Sequence, residues 1–78
     1  MYSVYVLSDM QGRFYKGVTN NLPRRLKEHR SGHTQTTARM KDLEVVYEEK
    51  YDTFEKARSR ELYLKSAAGR RFLKKALQ

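Results

Sequence analysis

The chain has no cysteine, and at 78 residues that is the tightest constraint on its fold. A domain this short buries only about 60% or a little more of the surface its unfolded chain exposes, so its stability is expected to be modest. Here disulfide staples, thiolate zinc sites and cysteine nucleophiles are all excluded. Two histidines without cysteine also leave too few soft ligands for a structural zinc. Stability must therefore come from one apolar core, and residues 1–78 are expected to form one domain. The lack of cysteine agrees with a reducing, cytoplasmic setting. The longest apolar run, Val4-Tyr5-Val6-Leu7, is too short to span a membrane. The N-terminus also lacks the basic-then-apolar layout of a signal peptide.

Charge narrows the function. Seventeen Lys and Arg against nine Asp and Glu give a net charge of +8. An excess of that size on so small a surface points to a polyanion, and nucleic acid is the commonest. Each neutralised phosphate releases counterions, so binding should depend steeply on salt. An anionic membrane is a poorer partner, because no helix sets a basic face against a large apolar face with aromatic anchors.

Residues 2–8 are β-branched and aromatic, with Tyr2, Val4 and Val6 on one face and Ser3, Tyr5 and Leu7 on the other. Asp9-Met10-Gln11-Gly12 reads as a turn, and residues 13–19 as a second strand completing a hairpin. Asn20 or Asn21 can cap a helix with Pro23 in its first turn, running to about Ser31 and ended by Gly32. Residues 33–41 are polar, hydroxyl-rich and basic. Residues 43–51 alternate with period two, which predicts a third strand with Leu43, Val45, Tyr47 and Tyr51 on one face. Asp52 or Thr53 caps a helix through about Ser66, and Gly69 is expected to separate a last basic helix, residues 70–77. The expected class is α+β: a three-stranded antiparallel sheet flanked by helices, in the order ββαβαα.

Several residues do not suit a plain core. On a helical wheel from residue 54, Phe54, Ala57, Leu64 and Ala68 share a stripe with Glu61 in its middle. A carboxylate there is costly unless paired or metal-bound. An i,i+4 pair with Lys65 is the structural account, worth about 0.3–0.5 kcal/mol. On the first helix, Leu22 and Leu26 mark the apolar side, and Arg25 and His29 lie one turn apart on its edge. A half-buried, hydrogen-bonded histidine and a surface arginine are the structural readings of that pair. Tyr5 and Tyr15 can meet on one face of the hairpin. Gly17 weakens its strand and suggests that something approaches closely there. Together, two phenols, an arginine, an imidazole and a carboxylate on a basic protein are what phosphodiester hydrolysis needs. The carboxylate can hold a divalent cation, the arginine can stabilise phosphoryl charge, and a phenol or imidazole can handle the proton of water.

At these residues the chain resembles the GIY-YIG nuclease superfamily. Ser3-Val4-Tyr5 stands where that family has GIY, and Tyr15-Lys16-Gly17 where it has YIG. Residues 15–32, YKGVTNNLPRRLKEHRSG, resemble the family's central segment. Residues 58–65, RSRELYLK, resemble the helix bearing its metal-binding glutamate. The likeness runs over nearly the whole chain and is strongest to small stand-alone bacterial members, more distant to the incision domain of excinuclease ABC. It implies that Glu61 binds one Mg²⁺ or Mn²⁺ and that Arg25 contacts the scissile phosphate. It also implies that Tyr15, with Tyr5 nearby, lies at the attacking water, that His29 assists proton transfer, and that Gly17 gives the backbone room. Ser3 and Lys16 depart from the family letters, and no asparagine follows Asn21 where many relatives keep one after the glutamate helix.

The expected function is a divalent-metal-dependent endonuclease acting on nucleic acid, DNA rather than RNA, as a monomer with no small-molecule substrate and little sequence specificity. Arg24, Thr36, Thr37, Arg39 and Lys41, with Arg70 and Arg71 beside Lys74 and Lys75, are candidate backbone-binding residues. The alternative is a nucleic-acid-binding module of the same fold with weak or no turnover. A third reading is a protein adapter using an acidic edge at Glu44, Glu48, Glu49 and Asp52.

Overall fold

The run Val4–Leu7 ends up in the middle of the sheet. The computed structural model describes residues 1–32 and 40–77, which form β1 (Tyr2–Ser8), β2 (Phe14–Thr19), α1 (Leu22–Arg30), β3 (Glu44–Tyr51), α2 (Phe54–Lys65) and α3 (Ala67–Ala76). The strand order is β2-β1-β3, antiparallel throughout. A central strand covered on both faces needs apolar residues at successive positions, and Val4, Tyr5, Val6 and Leu7 are all buried. Val4 and Val6 pack with Ala57, Leu64 and Leu73 from α2 and α3. Tyr5 and Leu7 face the other way, toward Leu43 and the Leu22 and Leu26 side chains of α1. The result is three layers, with α1 on one face of the sheet and α2 and α3 on the other.

Short polar side chains set the element ends. The Asp9 carboxylate accepts from the backbone N–H groups of Gln11 (2.9 Å) and Arg13 (2.8 Å), and Gly12 turns through φ +79°. That turn fixes the hairpin register, placing Tyr5 opposite Gly17 and Leu7 opposite Tyr15. Asn21 caps α1 by accepting from the Arg24 N–H, and Thr53 caps α2 by accepting from the Lys56 N–H.

Three expectations need correction. The break between the last two helices falls at Ser66, whose side chain accepts from the Gly69 N–H, so α3 begins at Ala67 and contains Gly69. Glycine is required at that position for closeness: a Cβ there would sit 2.0 Å from the Tyr63 carbonyl oxygen. Second, the period-two face of the third strand is split. The register with β1 shifts between Val6 and Leu7, so Val6 opposes Tyr47 while Leu7 opposes Val45, and Val46 is the extra residue of a bulge. Val46, Tyr47 and Tyr51 pack toward α2 and α3, whereas Leu43 joins the cluster beside α1. Third, Phe54 and Ala68 are exposed, and the buried stripe of α2 is Ala57, Glu61 and Leu64.

Candidate active site

The site forms beside the edge strand β2, where α1 and α2 approach the same stretch of sheet. Tyr5 and Tyr15 lie on one face two positions apart in register, and their ring centroids are 6.2 Å apart. The Tyr5 ring lies across Gly17, whose missing Cβ would meet the phenolic oxygen at 2.7 Å. The close approach expected at Gly17 is therefore by this ring. From α1, His29 stands 1% exposed behind both phenols. Its Nε2 is 2.9 Å from the Tyr5 hydroxyl, and its ring meets Tyr15 edge-on at 4.7 Å. One turn earlier, Arg25 points to the groove and donates to Glu28 Oε1 at 3.1 Å.

Glu61 enters from α2. Its residue is 6% exposed, and its carboxylate is ion-paired on both oxygens, with Arg58 on Oε1 and Lys65 on Oε2 at 3.1 Å. The i,i+4 pair with Lys65 is thus real, and Arg58 adds a second. Tyr5, Tyr15 and Arg25 line one groove of about 230 Å³ together with Phe54, Arg58 and Glu61, over Gly17 and Val18. His29 does not line it and reaches it through the phenols.

Burial sets the protonation states. It pushes the Tyr5 phenol up to about 12, an effect to which neighbouring Tyr15 and Glu61 add and which Arg25 opposes. Burial and then the Arg25 charge hold the His29 imidazole below its ordinary value, so it is neutral at pH 7. The Arg25 guanidinium is held charged by Glu28 and by the Tyr5 phenol. These shifts predict a pH dependence of stability. The unfolded phenol ionises near pH 10, so stability is complete below that and falls as pH rises toward 12. Tyr5 alone accounts for up to about 3 kcal/mol of that loss. The depressed His29 acts on the acid side, because the unfolded chain takes up its proton first as pH falls below about 6.5. Urea titrations at pH 7, 9 and 11 should show the alkaline decline, and Tyr5→Phe should make it shallower. An equal slope in the variant would assign the decline elsewhere.

Among the described residues no group of three or more His, Asp or Glu side chains could hold a metal ion. A single carboxylate still fits Mg²⁺ or Mn²⁺, which keep several waters and take further oxygens from a phosphate. Glu61 offers hard oxygen donors on the groove wall, and both cations now on it are half-exposed side chains able to withdraw.

Of the candidate backbone-binding residues, Arg24 adjoins the site, lining a shallow depression with Arg25, Glu28 and Phe54. Lys41 is exposed beside the β1–β2 turn, where its carbonyl accepts from the Met10 N–H, and it does not line the groove. Arg70 and Arg71 are exposed on α3. Arg70 and Lys65 lie close enough to Lys16 to depress its ammonium, with burial as the larger cause. Thr36, Thr37 and Arg39 lie outside the described residues. The acidic edge is dispersed: Glu49 accepts from Tyr51 and from both Nε and Nη2 of Arg60, Glu48 accepts from Ser3, and Asp52 pairs with Lys56. Arg58 and Phe54 were not among the candidates, although their i−3 and i−7 spacing from Glu61 puts them on its helix face.

Comparison with known proteins gives one consistent picture. Residues 1–75 match the GIY-YIG catalytic domain family. A relative from Clostridium perfringens (strain 13 / Type A), the UPF0213 protein CPE1444, is 36% identical over 63 residues, covering 80% of this chain and 68% of that protein. The solution NMR structure of the UPF0213 protein BH0048 from Bacillus halodurans is similar at a TM-score of 0.59 and 28% identity, covering 97% of this chain and 85% of the other. Among the described residues no helix is long and apolar enough to cross a membrane.

Proposed function

Because the chain belongs to the GIY-YIG catalytic domain family, whose chemistry is that of nucleases acting on nucleic acid, we propose that it is a divalent-cation-dependent endonuclease hydrolysing phosphodiester bonds in DNA. The observation carrying this reading is that Arg25 from α1 and Glu61 from α2 open into one groove with two phenols. We take residues 1–78 as one working domain, monomeric and cytoplasmic. A charge of +8 supports a substrate held mainly through its backbone.

In this mechanism Arg25 binds the scissile phosphate and stabilises the charge that develops on it. Glu61 would hold a Mg²⁺ or Mn²⁺, which when bound polarises a phosphate oxygen and eases departure of the leaving oxygen. Tyr5 and His29 handle the proton of the attacking water. Burial makes a free Tyr5 phenolate unfavourable at neutral pH. Neutral His29, 2.9 Å away, removes the need for one. As Tyr5 accepts a proton from water at its phenolic oxygen, it passes its own proton to His29 Nε2, and no isolated phenolate forms. Tyr15 packs against the imidazole and completes the wall against which the water is held.

One observation favours the second reading, a binding module without turnover: both Glu61 oxygens are already engaged by cationic side chains. The two are separated by incubating plasmid, branched DNA and single-stranded RNA with Mg²⁺ or Mn²⁺. The parent is expected to cut DNA, and Arg25→Ala to cut at least about a hundredfold more slowly. Salt-sensitive binding with no cut by the parent on any substrate would overturn the enzyme in favour of the module.

A further inference from the structure

The two cations on Glu61 are not equivalent. Lys65 sits on Oε2 and is not part of the groove wall, whereas Arg58, on Oε1, lines the groove with Arg25. Arg25 is itself held by a carboxylate of its own helix, Glu28. Each groove arginine therefore rests on an internal anion while its side chain stays a third to a half exposed (34% for Arg25, 49% for Arg58). A guanidinium keeps its planar fork and its charge wherever it swings, and its fork matches phosphate as well as carboxylate. Anything that neutralises the Glu61 carboxylate removes the attraction holding Arg58 there. A freed guanidinium would then face the same groove in which Arg25 waits.

We infer that Arg58 is a second phosphate-binding arginine of this groove, stored on Glu61 and handed to a nucleic-acid phosphate when a divalent cation takes the carboxylate. This rests on the reading of Glu61 as the cation ligand given above. Its consequence is a competition: Arg58 opposes cation binding at rest and favours nucleic-acid binding once the cation is in place. A cationic side chain of the groove that does not touch the Glu61 carboxylate would do mainly the second. One that merely neutralises a buried carboxylate would do only the first.

The test uses the full chain, labelled with ¹⁵N. Mn²⁺ is titrated while the broadening of backbone amide signals around Glu61 is followed, with Glu61→Gln as the blank. A mixed-sequence 20-base-pair duplex is then titrated by fluorescence anisotropy in Ca²⁺ at several salt concentrations. In Arg58→Gln the half-saturating Mn²⁺ concentration should fall about fivefold. Duplex binding should weaken about tenfold, and the slope of log K against log salt should become shallower by about one. Arg58→Lys should keep most of the salt slope while losing part of the affinity, since it retains the charge without the fork. Lys65→Gln should ease Mn²⁺ binding as well but leave duplex affinity within about twofold. The amide spectra themselves show that each variant is folded. If Arg58→Gln matches the parent in either titration, or if Arg58→Gln and Lys65→Gln weaken the duplex equally, the handover is wrong while the cation reading stands. If the parent shows no Glu61-dependent broadening, both fall together.

Discussion

Glu61→Gln is expected to lower phosphodiester cleavage by at least about a thousandfold while leaving nucleic-acid binding equal to the parent's or tighter. A thousandfold is about 4 kcal/mol of transition-state stabilisation, within what a metal-held phosphate contributes. The direction of the binding effect follows from the charges on the groove. Glu61 is the acidic group among its lining residues, which include Arg25 and the ion-pair partner of Glu61, Arg58. If the groove takes nucleic acid as proposed, removing one negative charge from it reduces repulsion of the phosphates. The fold should survive, because Gln keeps the shape and an oxygen that Arg58 or Lys65 can still donate to. The measurement is cleavage of the preferred substrate in Mg²⁺ beside equilibrium binding in Ca²⁺, for parent and variant. Equal loss of binding and cleavage would mean that Glu61 serves the integrity of α2 and not the reaction. Retained cleavage would remove it from the chemistry.

Gly69→Ala is expected to destabilise the domain by more than about 3 kcal/mol, at or above the upper end of ordinary overpacking. Helix propensity alone predicts the opposite sign, because alanine in a helix is favoured over glycine by about 1 kcal/mol. The contact geometry decides between them. A Cβ at residue 69 would lie 2.0 Å from the Tyr63 carbonyl oxygen and 2.5 Å from the Leu64 Cα, and both neighbours are main chain. No side chain can rotate away, so α3 would have to separate from the end of α2 and disturb the packing of Leu73 against Leu64. A folded chain of 78 residues has about 4–12 kcal/mol to lose, at about 0.05–0.15 kcal/mol per residue. Urea denaturation of Gly69→Ala beside Ala68→Gly separates the accounts. The exposed Ala68 should lose only about 1 kcal/mol as glycine. A Gly69→Ala variant as stable as the parent would show that the α2–α3 junction is looser than its geometry implies.

Much of the arrangement was legible because it depends on neighbours in sequence. The hairpin follows from two β-rich runs around Asp9 and Gly12, the helix starts from Asn21 and Thr53, and the strand faces of Tyr2, Val4 and Val6 against Tyr5 and Leu7 from simple alternation. The proximity of Tyr5 and Tyr15 follows from the same register. The misreadings have two causes. The Val46 bulge and the exposure of Phe54 depend on what a distant element does, and local patterning carries no record of that. The start of α3 is set locally, by the Ser66 side chain on the Gly69 N–H, a cap overshadowed in the sequence by the glycine three residues on. Gly69 reads as a breaker in sequence because glycine usually is one. Inside α3 its missing side chain serves contact with another helix.

The candidate site divides in the same way. Residue types and spacing alone determined that this basic chain carries a glutamate on a core-facing helix stripe, an arginine and histidine one turn apart, and two strand phenols. Those choices are set by side-chain chemistry and by the 3.6 and 2.0 residue periods of helix and strand. Only the tertiary structure decided that His29 stands behind the phenols with its Nε2 on Tyr5, and that Arg58 joins Arg25 in the groove while Lys65 stays outside. Those outcomes depend on how α1 and α2 meet the two faces of one sheet at its β2 edge. That meeting is set by long-range packing around Val4–Leu7, a sum of contacts between residues far apart in the chain that no local segment encodes.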